Sequence, residues 1–363
     1  MKTLLACLLC AALPGLALAS QEKVISVYNW NDYIDPQVLI DFEQQTGIHV
    51  DYKTFSSTDE LLGAVERGEP FDVIVPSNDN LPALIQGGKL LPLDQARLPN
   101  SQHLDKQILN KLAAFDPRNR YAIPYLWGSI GLAINTPQAE AALGGPVPQS
   151  WSLLFDPDQS AKLASCGLSM LDAATDVTTL VMNYKGRALA DSSPRQIQKA
   201  GETLMLVRPN LRMIDSELYI DELNNGSLCV ALAYVGDALN AAAAGQPVEF
   251  VVPEEGSVMF VDSMVIPANA KRPDLALQFL DYMMQPEVAA KITSETLYPN
   301  ANADSAQFLS AELRAQPGIT LDKETRRRLS LMPELGAATT AQVDAQWAAF
   351  KDAAPAPATA KAP

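Results

Sequence analysis

The stretch from Lys23 to Pro76 reads KVISVYNWNDYIDPQVLIDFEQQTGIHVDYKTFSSTDELLGAVERGEPFDVIVP, and its periodicities decide the fold. Lys23 to Asn29 is a strand candidate through Val24, Ile25, Val27 and Tyr28. From Pro36, the spacing of Val38, Leu39 and Phe42 predicts a helix with one apolar face, and Gly47 is a natural terminator. His49 to Tyr52 reads as a second strand. Ser57 and Glu60 have capping-box spacing ahead of Leu61, Leu62 and Val65, and Gly68 closes that helix. Phe71 to Val75 is a continuous apolar strand stopped by Pro76. Strand, helix, strand, helix, strand implies a parallel sheet covered on both faces, hence an α/β protein. Ligands of such sheets collect beyond the carboxyl ends of the strands. Here those ends are the polar loops Asn29 to Tyr33 and Pro76 to Asp79.

Working outward, Lys2, the apolar run Leu4 to Leu13 and the small-x-small Ala17-Leu18-Ala19 have the layout of a secretory signal peptide over residues 1–19. About 340 residues would remain, more than one core usually holds, so two lobes are expected. The formal charge is −15, with 42 acidic against 27 basic residues, which argues against nucleic acid and anionic lipid as partners. Cys7 and Cys10 leave with the leader. Cys166 and Cys229 then pair as one disulfide or remain two buried thiols; in an exported chain the first is expected. With only His49 and His103 available and neither beside a cysteine, no metal and no cofactor are expected.

Further strands are predicted at Ser129 to Asn135 and Cys229 to Tyr234, and packing helices at Pro273 to Met284 and Thr340 to Asp352. Residues 353–363 are Ala/Pro-rich and expected to be disordered. Arg326-Arg327-Arg328, beside Asp322 and Glu324, reads as a solvated helix face. The Gly-rich nucleotide loops, H-E-x-x-H and G-x-S-x-G are all missing. Binding is therefore favoured over catalysis, the rival being a hydrolase that uses Asp32 and Asp262 as a carboxylate pair. Acids do stand beside aromatic rings at loop-like positions: Asp32 between Trp30 and Tyr33, Asp237 after Tyr234, Asp262 after Phe260. A ring face attracts an alkylammonium and packs on its methylenes, while carboxylates accept its hydrogen bonds.

Tyr28-Asn29-Trp30-Asn31-Asp32-Tyr33-Ile34, Phe71-Asp72-Val73-Ile74-Val75-Pro76-Ser77, Pro124-Tyr125-Leu126-Trp127-Gly128, Tyr234-Val235-Gly236-Asp237, Phe260-Val261-Asp262 and Tyr298-Pro299-Asn300 together resemble the periplasmic polyamine-binding proteins of ABC importers, the putrescine-binding members in particular. The resemblance implies a two-lobed periplasmic binding protein fold of type II, each lobe a mixed, mainly parallel sheet flanked by helices, with a hinge between them. The expected division is 20–127 plus 244–297 for one lobe and 128–243 plus 298–352 for the other. By the same resemblance, Trp30, Tyr234, Phe260 and Tyr298 form an aromatic box, and Asp32, Asp176, Asp237 and Asp262 receive the ammonium groups. Asn31, Tyr33 and Asp79 add contacts. Cys166 and Cys229 align with the disulfide of putrescine-binding members.

Four positions depart from the family pattern. Asn31 stands where Ser or Thr is usual, Tyr234 where Trp is common, Asp176 where Glu is expected, and Asp79 where a small hydroxyl residue belongs. None of the carried-over positions is Arg or Lys, so a zwitterionic ω-amino acid lacks a partner for its carboxylate. The reading is thus a periplasmic monomer that binds putrescine or a similar diamine and hands it to an inner-membrane ABC permease. Its alternatives are a binder of another amine or amino acid, and a ligand sensor.

Overall fold

The computed structural model describes residues 23–332 and 335–353; the expected leader and, apart from Ala353, the expected tail lie outside them. Ten strands run in chain order: β1 Val24–Trp30, β2 His49–Phe55, β3 Val73–Ile74, β4 Ala122–Asn135, β5 Leu168–Met170, β6 Met213–Ile214, β7 Val230–Tyr234, β8 Val248–Val251, β9 Ser257–Val265 and β10 Leu329–Leu331. They lie in the order β2-β1-β3-β9-β4-β7-β5-β6, with β10 beside β9 and β8 beside β4. The pairs β1/β2, β1/β3, β5/β7 and β5/β6 are parallel, as alternating strands and helices require.

The helices between and after these strands include α1 Pro36–Thr46, α2 Thr58–Glu66, α3 Ala174–Tyr184, α4 Val235–Ala243 and α5 Ala337–Asp352. Local chemistry sets the first two. Asp35 caps α1 ahead of Pro36, and Gly47 ends it in the left-handed region at φ +67°. Ser57 Oγ accepts from Glu60 N at 3.2 Å, but the carboxylate of Glu60 turns to Ser56 N and the hydroxyl of Tyr28, so the reciprocal half of the capping box does not form.

β4 is the organising strand. Ala122 to Ser129 pairs antiparallel with β9, and Ile130 to Asn135 pairs with β7 and β8. One strand thus serves two sheet regions. All fourteen of its residues are buried, and the apolar residues on both sides join one connected core. The sequence reading recovers only its second half. Pro124 and a register shift between Pro124 and Trp127 break the strand signal in the first half. Phe71 to Val75 shrinks likewise to two paired residues.

Strand pairing also crosses the expected division. Residues 248–251, grouped with the first lobe, bond to the second half of β4. Asn300 and Asn302, grouped with the second, bridge to Leu126 and Leu104. Such backbone partners are not revealed by local hydropathy. Cys166 and Cys229 are joined, with Cα atoms 5.5 Å apart, tying the approach to β5 to the start of β7. Arg326 is not a free surface residue: its guanidinium meets Asp105 at 3.2 Å. No described helix is long and apolar enough to cross a membrane.

Candidate functional site

Side chains of one cluster come from the carboxyl ends of β1, β3 and β7 or just beyond them, from the middle of β9, from the start of α3 after β5, and from Tyr298, just before the Asn300 bridge. Tyr33 and Tyr298 meet edge-on at 5.1 Å between centroids, Tyr298 and Phe260 lie 6.3 Å apart, and Phe260 and Tyr234 meet edge-on at 5.8 Å. The result is a chain of four rings. At one end the hydroxyl of Tyr33 donates to Asp262 Oδ2 at 2.8 Å; at the other the hydroxyl of Tyr234 donates to Asp176 Oδ2 at 3.3 Å.

Each carboxylate has a local reason for its place. Asp262 follows Phe260 on β9 with one residue between, and accepts from Ser77 as well, where Ser77 and Asp262 form a β-bridge. The loop carrying Ser77 is fastened to β9 by Asn78, whose buried Oδ1 accepts from Val261 N at 2.9 Å. That fastening places Asp79 next in line. Asp237 lies in the first turn of α4, directly after β7, and accepts from the hydroxyl of Tyr219. Asp176 lies in the first turn of α3. Helix N-termini favour negative charge there.

Burial raises all of these acids. It pushes Asp262 up to about 7 against the opposing hydroxyls of Ser77 and Tyr33, with the charge of Asp79 adding to the rise. Asp176 goes to about 7 for the same reason, Asp79 again adding and Tyr234 opposing. Asp237 goes to about 6, opposed by Tyr219. Asp79 keeps a solvent-open face, yet the crowding around it raises its carboxyl too. The phenols of Tyr33, Tyr234 and Tyr298 are held far above their ordinary value by burial and by these charges, so they remain neutral donors. Among the described residues no ion pair reaches Asp79, Asp176, Asp237 or Asp262. Gathered carboxylates without a cation are an electrostatic deficit, and a ligand bearing ammonium groups corrects it.

Of the residues expected from sequence, Tyr33, Asp79, Asp176, Tyr234, Asp237, Phe260, Asp262 and Tyr298 come together here. Trp30 ends β1, Asn31 and Asp32 begin the loop after it, and the three make no hydrogen bond to those eight among the described residues. Trp30 packs on Phe55 with centroids 4.5 Å apart, and its buried indole Nε1 has no acceptor among the described residues. Asn31 N donates to Phe55 O at 3.0 Å and its side chain is exposed. Asp32 is exposed in the left-handed region at φ +52°, which Asp tolerates.

Sequence reasoning missed several supports. Ser77 ends a quoted motif, yet nothing local says that it bonds to a residue 185 positions away. Tyr125, whose hydroxyl donates to Tyr33 O at 2.7 Å, stood in a quoted motif with no sign of that bond, and Tyr219 gives no signal outside the fold. Gly128 and Gly236 were visible within motifs as glycines, a residue type that often marks close approach. A Cβ on Gly236 would stand 2.2 Å from the ring of Tyr298.

A sequence profile of the bacterial extracellular solute-binding protein family matches residues 37–320. The chain is 36% identical to the putrescine-binding periplasmic protein SpuD of Pseudomonas aeruginosa, over 96% of this chain and 98% of that one. It is 38% identical to the putrescine-binding periplasmic protein PotF of Escherichia coli, over 86% and 87%. Among solved structures, the spermidine/putrescine ABC transporter substrate-binding protein PotD of Streptococcus pneumoniae superposes with a TM-score of 0.82 at 26% identity, covering 91% of this chain and 98% of that one.

Proposed function

The chain belongs to the bacterial extracellular solute-binding protein family, and on that footing we propose that it captures a polyamine, putrescine or a similar α,ω-diamine, and delivers it to an ABC importer. It has the two-lobed periplasmic binding protein fold, with an open mixed sheet. The supporting observation is the chain of rings from Tyr33 to Tyr234 with a buried carboxylate hydrogen-bonded at each end, Asp262 and Asp176. Methylenes pack on the rings and the two ammonium groups meet the two carboxylates.

A zwitterion fits less well, because none of the gathered residues is Lys or Arg. Each end offers a carboxylate and hydroxyls, so a ligand carboxylate would face like charge. Trp30 at the end of β1, with Asn31 and Asp32 after it, completes the site, the indole ring adding a face for the methylenes and the carboxylate of Asp32 a further acceptor for an ammonium group. Export through the leader 1–19, residence in the periplasm as a monomer, and docking on an inner-membrane permease belong to the same reading. Its mechanism is binding and release, with no bond made or broken.

The test is isothermal titration of the mature chain, unfolded and refolded to strip bound ligand, against putrescine, cadaverine, spermidine, agmatine and γ-aminobutyrate. The expected result is micromolar or tighter binding of a di- or polyamine, about −8 kcal/mol or better. Silence toward every amine, or preference for γ-aminobutyrate, would overturn the proposal.

A further inference from the structure

Asp176 reaches the cleft from the first turn of α3, and that turn has no cap of its own. The residue before the helix is Ala173, at φ −143° and ψ 89°, with no side chain to accept from the exposed backbone N–H groups. Helices that present a functional group usually fix their first turn with Ser, Thr, Asp or Asn. Here the fastening comes from elsewhere in the chain. Asp172, between β5 and α3, holds one carboxylate oxygen 2.7 Å from the indole Nε1 of Trp347 and the other 2.8 Å from Nζ of Lys351. Both donors lie on α5, one turn apart, and α5 is seated by the buried side chains Val343, Trp347 and Phe350. Asp172 N also donates to Ser216 Oγ at 3.0 Å.

We propose that Asp172 is a positioning residue for ligand binding, and that α5, more than 160 positions later in the chain, holds the entry to α3 so that Asp176 meets its ammonium group. The inference rests on the diamine reading of the ring-lined site and adds to it a part of the molecule that touches no ligand. Two donors on both oxygens of one carboxylate fix its position and its orientation together. Without them, the uncapped turn keeps the backbone bond to Ser216, the long 3.3 Å bond from the hydroxyl of Tyr234 to Asp176 and the apolar anchors further along α3. A carboxylate displaced by a fraction of an ångström loses much of a short, directional contact.

The experiment compares putrescine with n-butylamine, a monoamine of the same length, on the whole mature chain carrying Asp172→Ala, Asp172→Asn or Leu163→Ala. Asp172→Ala is expected to weaken putrescine about tenfold, less than the thirtyfold or so expected from removing the charge of Asp176 itself. Butylamine, which can use the end anchored by Asp262, should change by less than about threefold, so the diamine-to-monoamine ratio falls. Asp172→Asn keeps an oxygen for Trp347 and should restore most of that ratio. Leu163→Ala removes a buried side chain of the same half of the molecule and should lower the melting temperature with the ratio unchanged. An unchanged ratio in Asp172→Ala, or an equal fall in Leu163→Ala, would overturn the positioning role. A wild-type chain that binds no diamine would instead overturn the proposed function.

Discussion

Gly128 of β4 and Phe260 of β9 are register partners, and the ring of Phe260 occupies the space above Gly128: a Cβ built there would stand 2.4 Å from the ring Cζ. The centre of the aromatic wall therefore depends on a missing methyl group. Gly128→Ala should swing the ring off the strand and weaken diamine binding by about 0.5–2 kcal/mol, the range of one lost cation–ring contact. Because Phe260 is partly exposed and can move, the melting temperature should change little. Titration alongside calorimetry checks this, and unaltered affinity would remove Phe260 from the ligand's path.

Asp262 sets a second expectation. Asp262→Asn keeps an oxygen for one of the two hydroxyls, Tyr33 or Ser77, leaves the other to accept from the amide NH2, and removes a buried, uncompensated charge. Affinity for the diamine should fall by about 2–5 kcal/mol, the effect of truncating one member of a desolvated charge pair. The empty protein should become no less stable, since the desolvation penalty goes with the charge. A loss of stability with intact affinity would reverse the assignment of Asp262 from ligand partner to structural group.

The raised carboxyls fix the pH dependence. Asp176 and Asp262 titrate near 7 and Asp237 near 6, each above its ordinary value of 3.8. A native acid that holds its proton more tightly than the unfolded chain stabilises the fold below the unfolded value and loses that contribution as pH rises through its own. From these three groups the empty protein loses stability between about pH 4 and pH 7. Ammonium groups favour the ionised forms, so binding at pH 6 should release protons, and the ligand-induced rise in melting temperature should be larger at pH 8 than at pH 5. Titrations in buffers of different ionisation enthalpy count the protons. No release at pH 6 would contradict the raised values.

The Cys166–Cys229 bond closes a loop of 63 positions. In the chain-entropy description, opening it by Cys166→Ser with Cys229→Ser should lower unfolding free energy by about 4 kcal/mol. Denaturant titration with and without reductant measures the effect. The same midpoint in both would show that the bond constrains nothing the fold does not already constrain.

The strand-helix alternation from Lys23 to Pro76 and the cysteine pair were legible without the fold: the first rests on local periodicity, the second on counting the cysteines left in an exported chain. The ring and acid residues were named by resemblance, and their grouping around β9 followed. What the sequence hid is tertiary. The bonds of Tyr33 to Asp262 and of Ser77 to Asp262 join residues 229 and 185 positions apart. Tyr219 behind Asp237, and Trp347 behind Asp172, carry no local pattern at all. The pairing of β8 with β4 and of Asn300 with Leu126 was hidden for the same reason, because partners across a sheet are chosen by topology rather than by neighbours.

β4 exchanges β9 for β7 and β8 midway along its length, with every residue buried. A ladder shared in this way leaves no seam along which half the molecule can open to water while the rest stays dry. Whatever freedom the two sheet regions have to swing against each other, the strand they share couples their unfolding, and a single calorimetric transition is the expected outcome.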